Sequence, residues 1–230
     1  MIKNMISNDI RQYSSWFDNK IDFIATVKDD DIKILACCSL IDALAKCVYC
    51  DKSNRERFIN VLEQFGDSKI WSKVSIYHLT SDKGYNVFRA ITRINNYFEQ
   101  ILSDLIKQDG KIVGCNIDTT ICYIEKTIND FESIKGLKEI CQYYKYSSIF
   151  YREYRCGLVH EARIISKFNF DYCRSEEPYY ANYITENNSH EKHLIIPVSF
   201  VINTTKIINS NVRNWLIKQN INPYERYSII

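Results

Sequence analysis

Glycine and proline are scarce in this chain, and this scarcity limits the folds it can adopt. The 230 residues include only 6 glycines and 3 prolines, about 4% together, against roughly 12% in average proteins. These two residues supply the frequent turns of all-β sandwiches and barrels, so the sequence predicts long uninterrupted elements and a mainly α fold. Neither G-x-G-x-x-G nor G-x-x-x-x-G-K-[ST] occurs, so no dinucleotide-binding or P-loop site is indicated.

The charge balance and the cysteine content exclude further classes of protein. With 30 Lys and Arg against 28 Asp and Glu, the chain is not a general binder of nucleic acid or of membrane surfaces, although a local basic face stays open. The longest largely apolar run, 194–202, is too short to span a bilayer. The nine cysteines form no disulfide-like pattern and the N-terminus lacks a signal peptide, so we expect buried, reduced thiols in a cytoplasmic protein.

Apolar residues at three- and four-residue spacing predict most of the chain to be helical. Ser53-Asn54-Arg55-Glu56 has the pattern of a capping box, and the helix that it starts is expected to end at Gly66. Two predicted strands form a β-hairpin over about 178–197, and a final helix follows over about 199–219. No linker or repeat is visible, so we expect a single domain over 1–230. The other predicted helices cover about 7–27, 32–50, 69–80, 85–108, 118–131 and 137–165.

Two groups of cysteine and histidine residues have the residue types of a metal site. Cys47 and Cys50 form a C-x-x-C, but a second pair is missing, and a position within an amphipathic helix favours small core residues. His190 and His193, with Cys173 upstream, offer three zinc ligands, yet a polar hairpin loop accounts for them better. We therefore expect neither a metal nor a cofactor.

One short block, Tyr151-Arg152-Glu153-Tyr154-Arg155-Cys156-Gly157-Leu158-Val159-His160-Glu161-Ala162-Arg163, has the residue types of a phosphodiester-binding site. It lies in a locally basic stretch, 141–174, with six Lys and Arg against three Asp and Glu. Arginine offers a planar fork of donors to phosphate oxygens, and histidine can transfer a proton near neutral pH. In a straight helix, however, Arg155 and His160 lie about 140° apart. Gly157 between them could loosen or end the helix.

This block resembles the R-x4-6-H signature of the HEPN superfamily. Residues 39–46 and 54–58 are also similar to the N-terminal half of uncharacterised bacterial HEPN-like proteins of about this length, which carry the same Arg-Cys-Gly-Leu-x-His-Glu form. The resemblance covers about 30–219 and implies an all-α HEPN-like helical bundle, here with the small C-terminal hairpin. In that family the motif lies at or near the end of a late helix.

The resemblance implies a metal-independent endoribonuclease of toxin or phage-defence type, which leaves 2′,3′-cyclic phosphate and 5′-hydroxyl ends. Arg155 would bind the scissile phosphate and His160 would act as general acid or base. Arg152, Arg163 and Tyr154 are candidate contacts to single-stranded RNA. One histidine cannot be both acid and base, so the resemblance also implies a homodimer through the motif region, with an antitoxin or operon partner possible.

Several of these residues have more than one interpretation. Tyrosines such as Tyr154 suit either base stacking or packing, and packing is favoured. Glu161 either orients His160 or is solvated, and Asp42 is either a buried polar partner or a surface charge. Many active HEPN members have Asn, Asp or His directly after the motif arginine, whereas this chain has Cys156. That difference favours a non-catalytic module that binds RNA, a nucleotide or a protein. A third interpretation is a helical interaction protein in which both motif residues are structural.

Overall fold

The chain is mainly helical, as the scarcity of glycine and proline predicts. The computed structural model describes residues 2–79, 113–114, 118–127, 136–161, 176–184 and 190–227. Its first half contains α1 (Ile2–Thr26), α2 (Asp30–Val48), α3 (Asn54–Phe65), α4 (Ser68–Trp71), β1 (Lys73–Val74), α5 (Ile76–Leu79) and β2 (Val113–Gly114). Then follow β3 (Thr119–Thr120), α6 (Ile121–Thr127), α7 (Leu137–Tyr143), α8 (Tyr146–Ile149), a π-helix (Phe150–Arg155), α9 (Cys156–Glu161), β4 (Tyr179–Ile184), β5 (His190–Ile195), α10 (Val198–Gln219) and a 3₁₀ helix (Pro223–Arg226).

The chain forms two compact units that interleave along the sequence. Unit 1 comprises Met1–Trp71, Phe150–Phe170 and Val198–Ile230, and unit 2 comprises Ser72–Ile149 and Asp171–Pro197. Because the chain enters unit 2 twice, no linker marks the division in the sequence. The expectation of a single domain over 1–230 stays a prediction.

Unit 1 is a helical bundle. Helix α2 packs against α1, α3 and α10, and α1 also packs along α10. The π-helix contacts α2 and α3. Aliphatic and aromatic side chains that are fully or almost fully buried form the core: Ile21, Ile34, Ile41, Leu44, Phe58, Val61, Trp71, Val201, Ile208 and Leu216.

The ends of α2 and α3 are set by specific side chains. Ser53 and Glu56 form the predicted capping box, and α3 stops at Gly66. A Cβ atom at Gly66 would lie 2.5 Å from the carbonyl oxygen of Leu62, so only glycine fits there. At the C-terminal end of α2, Arg226 donates hydrogen bonds to the carbonyls of Cys47 and Val48, at 2.9 and 3.0 Å. These bonds satisfy carbonyl groups that a helix end leaves without partners.

Unit 2 contains two small antiparallel sheets. The predicted hairpin is confirmed: β4 pairs with β5, from Tyr179 opposite Ile195 to Ile184 opposite His190. The sequence did not indicate a third strand, β2, which pairs with β4. A separate pair joins β1 to β3. The predicted final helix is confirmed as α10, which begins one residue earlier than expected.

Two of the predicted long helices are wrong. The segment 69–80 contains two short helices separated by β1. The segment 137–165 is not one helix, because Val74 forms a β-bridge with Lys145 and the amide of Ser75 donates to the carbonyl of Tyr144. Pairing with a distant strand has outcompeted local helix propensity at both places. Only Ile121–Thr127 is helical within the described part of 118–131, and the helix expected at 85–108 lies outside the described residues.

Cysteines in the described part of the chain are free thiols, and Cys37, Cys38, Cys47 and Cys141 among them are buried. Cys50 and Cys156 are half-buried, whereas Cys122 is exposed. None of the described helices has the length and hydropathy needed to cross a membrane.

Candidate functional site around Arg155

Arg155 is the last residue of the π-helix. Two aromatic side chains of this helix, Phe150 and Tyr154, are completely buried, and their ring centroids lie 5.3 Å apart. Phe150 also packs against Trp71 of α4, at 5.2 Å. Single π-turns are rare and occur frequently at functional sites. Here the widened turn itself contains both the buried aromatic residues and, at its end, the arginine of the motif.

The guanidinium group of Arg155 binds the carboxylate of Asp42 in α2. Its Nε and Nη2 atoms donate to the same oxygen, Oδ2, at 3.0 and 2.9 Å. Both side chains are largely buried, with exposed fractions of 15% for Arg155 and 19% for Asp42. Burial lowers the pKa of Arg155, but the hydrogen bonds and charge of Asp42 outweigh it and raise the pKa overall. Arg155 is therefore a fixed, permanently charged group.

Two further side chains, those of Tyr151 and Cys156, lie next to the guanidinium group of Arg155. The Cζ atom of Arg155 lies 5.5 Å from the ring centroid of Tyr151, within cation–π range. Cys156 follows Arg155 directly and interacts electrostatically with the hydroxyl of Tyr151, whose pKa is raised mainly by burial and further by this thiol. Behind them, burial raises the pKa of the Cys38 thiol, so this cysteine stays neutral. Arg155 is thus held on one side by a carboxylate and bordered by a ring and a thiol.

His160 lies in the exposed part of α9, next to exposed Val159 and Glu161. Gly157, which was expected to loosen or end the helix, is buried inside α9, and the helix continues to Glu161. The departure from regular α geometry comes earlier, in the π-helix. The structure therefore brings Arg155 to Asp42 and places His160 on the outer surface of the following helix.

The candidate RNA contacts have different surroundings. Arg152 is half-buried and pairs with Glu153 at 3.2 Å. Tyr154 has no exposed surface, so in this conformation a base cannot stack on it, and the packing alternative describes its ring. Arg163 lies outside the described residues.

Within the described ranges, no group of three or more His, Cys, Asp or Glu side chains is arranged to hold a metal ion. The proposed zinc ligand Cys173 lies outside those ranges.

No protein-family model, curated protein or solved structure matches this chain.

Unit 2 holds a second cluster of polar side chains, which the sequence does not indicate. In unit 2, Ser75, His78, Asp118, Tyr146 and Tyr180 form a connected set of hydrogen bonds. These residues are widely separated in the sequence. The only local pair among them is Ser75 and His78, in which a serine accepts the amide at the start of a helix. Serine is common at helix N-termini, so no sequence signal identified the set.

Removal of the Asp42 carboxylate should destabilise unit 1. In Asp42→Ala the guanidinium of Arg155 stays largely buried without its partner, and we expect a loss of about 1–3 kcal/mol in the free energy of unfolding. Urea denaturation followed by circular dichroism measures this loss. Asp22→Ala is the matched control, because its pair with Lys206 is much more exposed and should contribute below about 1 kcal/mol. Equal effects of the two variants would show that the buried pair has no special role.

Proposed function

We propose that this chain is a HEPN-type, metal-independent endoribonuclease that leaves 2′,3′-cyclic phosphate and 5′-hydroxyl ends, in toxin action or phage defence. The observation that carries the proposal is the arrangement at the end of the π-helix. There Asp42 fixes the motif arginine, Arg155, and the motif histidine, His160, is exposed on the helix that follows.

Arg155 would bind the scissile phosphate and stabilise the charge that develops on it. A guanidinium carries five N–H donors, and the bonds to Asp42 use two of them. Because the carboxylate already orients the group, little side-chain entropy is lost when a phosphate binds to the remaining donors. Asp42 would thus act as a positioning residue.

His160 would supply the proton transfers. In-line attack by a ribose 2′-hydroxyl needs a base for that hydroxyl and an acid for the departing 5′-oxygen. One copy of the motif provides one histidine. A two-fold homodimer through the motif region would provide both, since each copy presents the same surface to the other. The exposed apolar side chain of Val159, with 47% of its surface accessible, lies next to His160 and suits such an interface.

RNA cleavage should require both motif residues and no metal. With a labelled RNA in EDTA, we expect Arg155→Ala and His160→Ala each to lower the cleavage rate by at least about 100-fold, the lower end of what one acid–base group contributes. Arg213→Ala, in an exposed part of α10, should retain the wild-type rate. Denaturation midpoints should be measured alongside, because Arg155 also has a structural partner.

Cleavage that persists in His160→Ala, or that EDTA abolishes in the wild type, would contradict this assignment. His160→Ala is the cleaner of the two variants. The exposed position of His160 means that its loss should leave the fold intact.

Dimerisation can be tested separately from cleavage. A charged residue at the centre of an apolar contact is costly to bury, so Val159→Glu should shift a micromolar sample from dimer towards monomer in light scattering. Ile217→Glu is the matched control, since Ile217 is exposed to 55% on α10 and far from the motif in sequence. A wild-type protein that is monomeric under these conditions would exclude the proposed dimer.

One observation favours a second candidate, a non-catalytic HEPN module that binds RNA, a nucleotide or a protein partner such as an antitoxin. Asp42 neutralises much of the charge of Arg155, and Cys156 replaces the polar residue that follows the arginine in many active members. Such a module would bind single-stranded RNA in a salt-dependent manner without cutting it. Fluorescence anisotropy on an RNA that stays intact would identify this function.

A further inference from the structure

Three basic side chains of unit 1 meet at the C-terminal end of α2. Lys46 lies in the last turn of α2, and its Nζ atom is 6.0 Å from the ring centroid of Tyr227. Arg226 precedes Tyr227 and donates to the carbonyls of the last two residues of α2. Burial raises the pKa of the Tyr227 hydroxyl to about 12, and the positive charge of Arg57, in α3, acts in the opposite direction. Lys46, Arg57 and Arg226 therefore form a basic cluster around one tyrosine.

The members of the basic cluster are half-buried and lack carboxylate partners. All three have intermediate exposure, and none of the ion pairs among the described residues includes any of them. The acid next to Arg57 in the sequence, Glu56, is exposed and accepts a hydrogen bond from Ser53 at 2.7 Å. Like charges that are partly desolvated and close together repel one another. A bound anion would relieve this repulsion.

The guanidinium group of Arg57 provides a second, independent observation. Its Nε atom is buried and has no hydrogen-bond partner within the described ranges. Buried donors in folded proteins are nearly always paired, because an unsatisfied one is costly. In a guanidinium the Nε–H and one Nη–H form a fork that binds two oxygens of the same phosphate or carboxylate. One arm of this fork is thus a buried donor whose acceptor no described residue supplies.

The C-terminal end of a helix ordinarily repels anions, and Arg226 offsets this effect. The last carbonyls of a helix carry roughly half a negative elementary charge. Arg226 satisfies two of these carbonyls, at 2.9 and 3.0 Å, and three of its five N–H donors remain. The basic cluster adds three positive charges where the helix contributes about half a negative one. Electrostatics at this end of α2 therefore favour an anion.

The 3₁₀ helix that carries Arg226 is fixed to both α1 and α2. The Tyr227 hydroxyl donates to the carbonyl of Ala43 at 2.7 Å and lies 2.7 Å from the Tyr13 hydroxyl of α1. Asn222, which caps the 3₁₀ helix, donates to Asp9 of α1 at 2.9 Å. Because this backbone is held in place, little conformational entropy is lost when an anion binds beside it.

We propose that the basic cluster of Lys46, Arg57 and Arg226 is a binding site for a terminal phosphate group. The fork of Arg57 binds two phosphate oxygens, and the other two side chains balance the remaining charge. A phosphate monoester carries a charge of about −1.5 to −2 at pH 7 and three acceptor oxygens, which suits three cations better than the single charge of a carboxylate or a phosphodiester. A nucleotide and the phosphorylated end of an RNA both offer this group.

The site is separate from the motif residues of the proposed ribonuclease. Neither Arg155 nor His160 belongs to the basic cluster, and binding of a phosphate there requires no cleavage. A failure of the cleavage assay therefore leaves this proposal standing, and the reverse also holds.

The Nε–H of Arg57 reports the proposed contact directly. In full-length protein labelled with ¹⁵N, its NMR signal is assigned by its disappearance in Arg57→Lys. Uridine 5′-monophosphate should shift this signal in a saturable manner at pH 7, whereas uridine and sodium chloride at the same ionic strength should not. No shift with the monophosphate, or an equal shift with chloride, would overturn the proposal.

The source of the phosphate is distinguished by short RNAs that carry either a 5′-phosphate or a 5′-hydroxyl, added to His160→Ala protein so that they stay intact. A shift that saturates at lower concentration with the 5′-phosphorylated RNA than with the nucleotide identifies an RNA end, and the opposite order identifies a free nucleotide. Equal shifts with both RNAs would contradict recognition of a terminal phosphate.

Two variants separate binding from a structural role. Arg57→Gln and Lys46→Gln should each weaken binding of the monophosphate by about 10-fold in calorimetry, as expected for the loss of a charge-assisted hydrogen bond. Arg213→Gln, in an exposed part of α10, is the matched control and should bind like the wild type. Since each variant removes one of three mutually repelling charges, its denaturation midpoint should not fall. Undiminished affinity in a less stable Arg57→Gln would refute the site, and if a variant fails to fold, the wild-type NMR titration decides.

Discussion

The ion pair between Arg155 and Asp42 is the contact around which the candidate site is organised. Two opposite charges, each largely buried, are costly to separate, so the end of the π-helix must stay against α2. Tyr151 and Cys156 take their places around the guanidinium that this pair fixes. This ion pair has one favourable and one unfavourable effect on phosphate binding. It orients the arginine for a phosphate, and it offsets part of the charge that would attract one.

Much of the fold could be predicted from local sequence signals. The capping box at Ser53, the stop at Gly66 and the terminal helix are encoded by neighbouring residues, and the hairpin is encoded by alternating strands around a polar loop. The errors fall where distant segments meet. Val74 bridges Lys145, and this pairing interrupts two segments whose apolar spacing is helical. Periodicity contains no information about such partners.

The candidate site, too, could be predicted from the sequence only in part. The motif arginine and histidine were evident as a block, but the π-helix that ends at Arg155 was not. Only the fold shows that Asp42 is the partner of Arg155, 113 positions away. The polar cluster around Asp118 left no sequence signal at all, because its members come from segments that meet only in the folded unit.

The proposed chemistry at Arg155 and His160 depends on the 2′-hydroxyl of the substrate, and removal of that hydroxyl tests it most directly. Once the cleaved bond has been mapped on an RNA, a matched oligonucleotide with a single 2′-deoxyribose on the 5′ side of that bond should be incubated with the protein in EDTA. Mass spectrometry should show 2′,3′-cyclic phosphate and 5′-hydroxyl ends from the RNA and no cleavage of the substituted bond. Cleavage at the deoxyribose, or 5′-phosphate ends, would contradict the account.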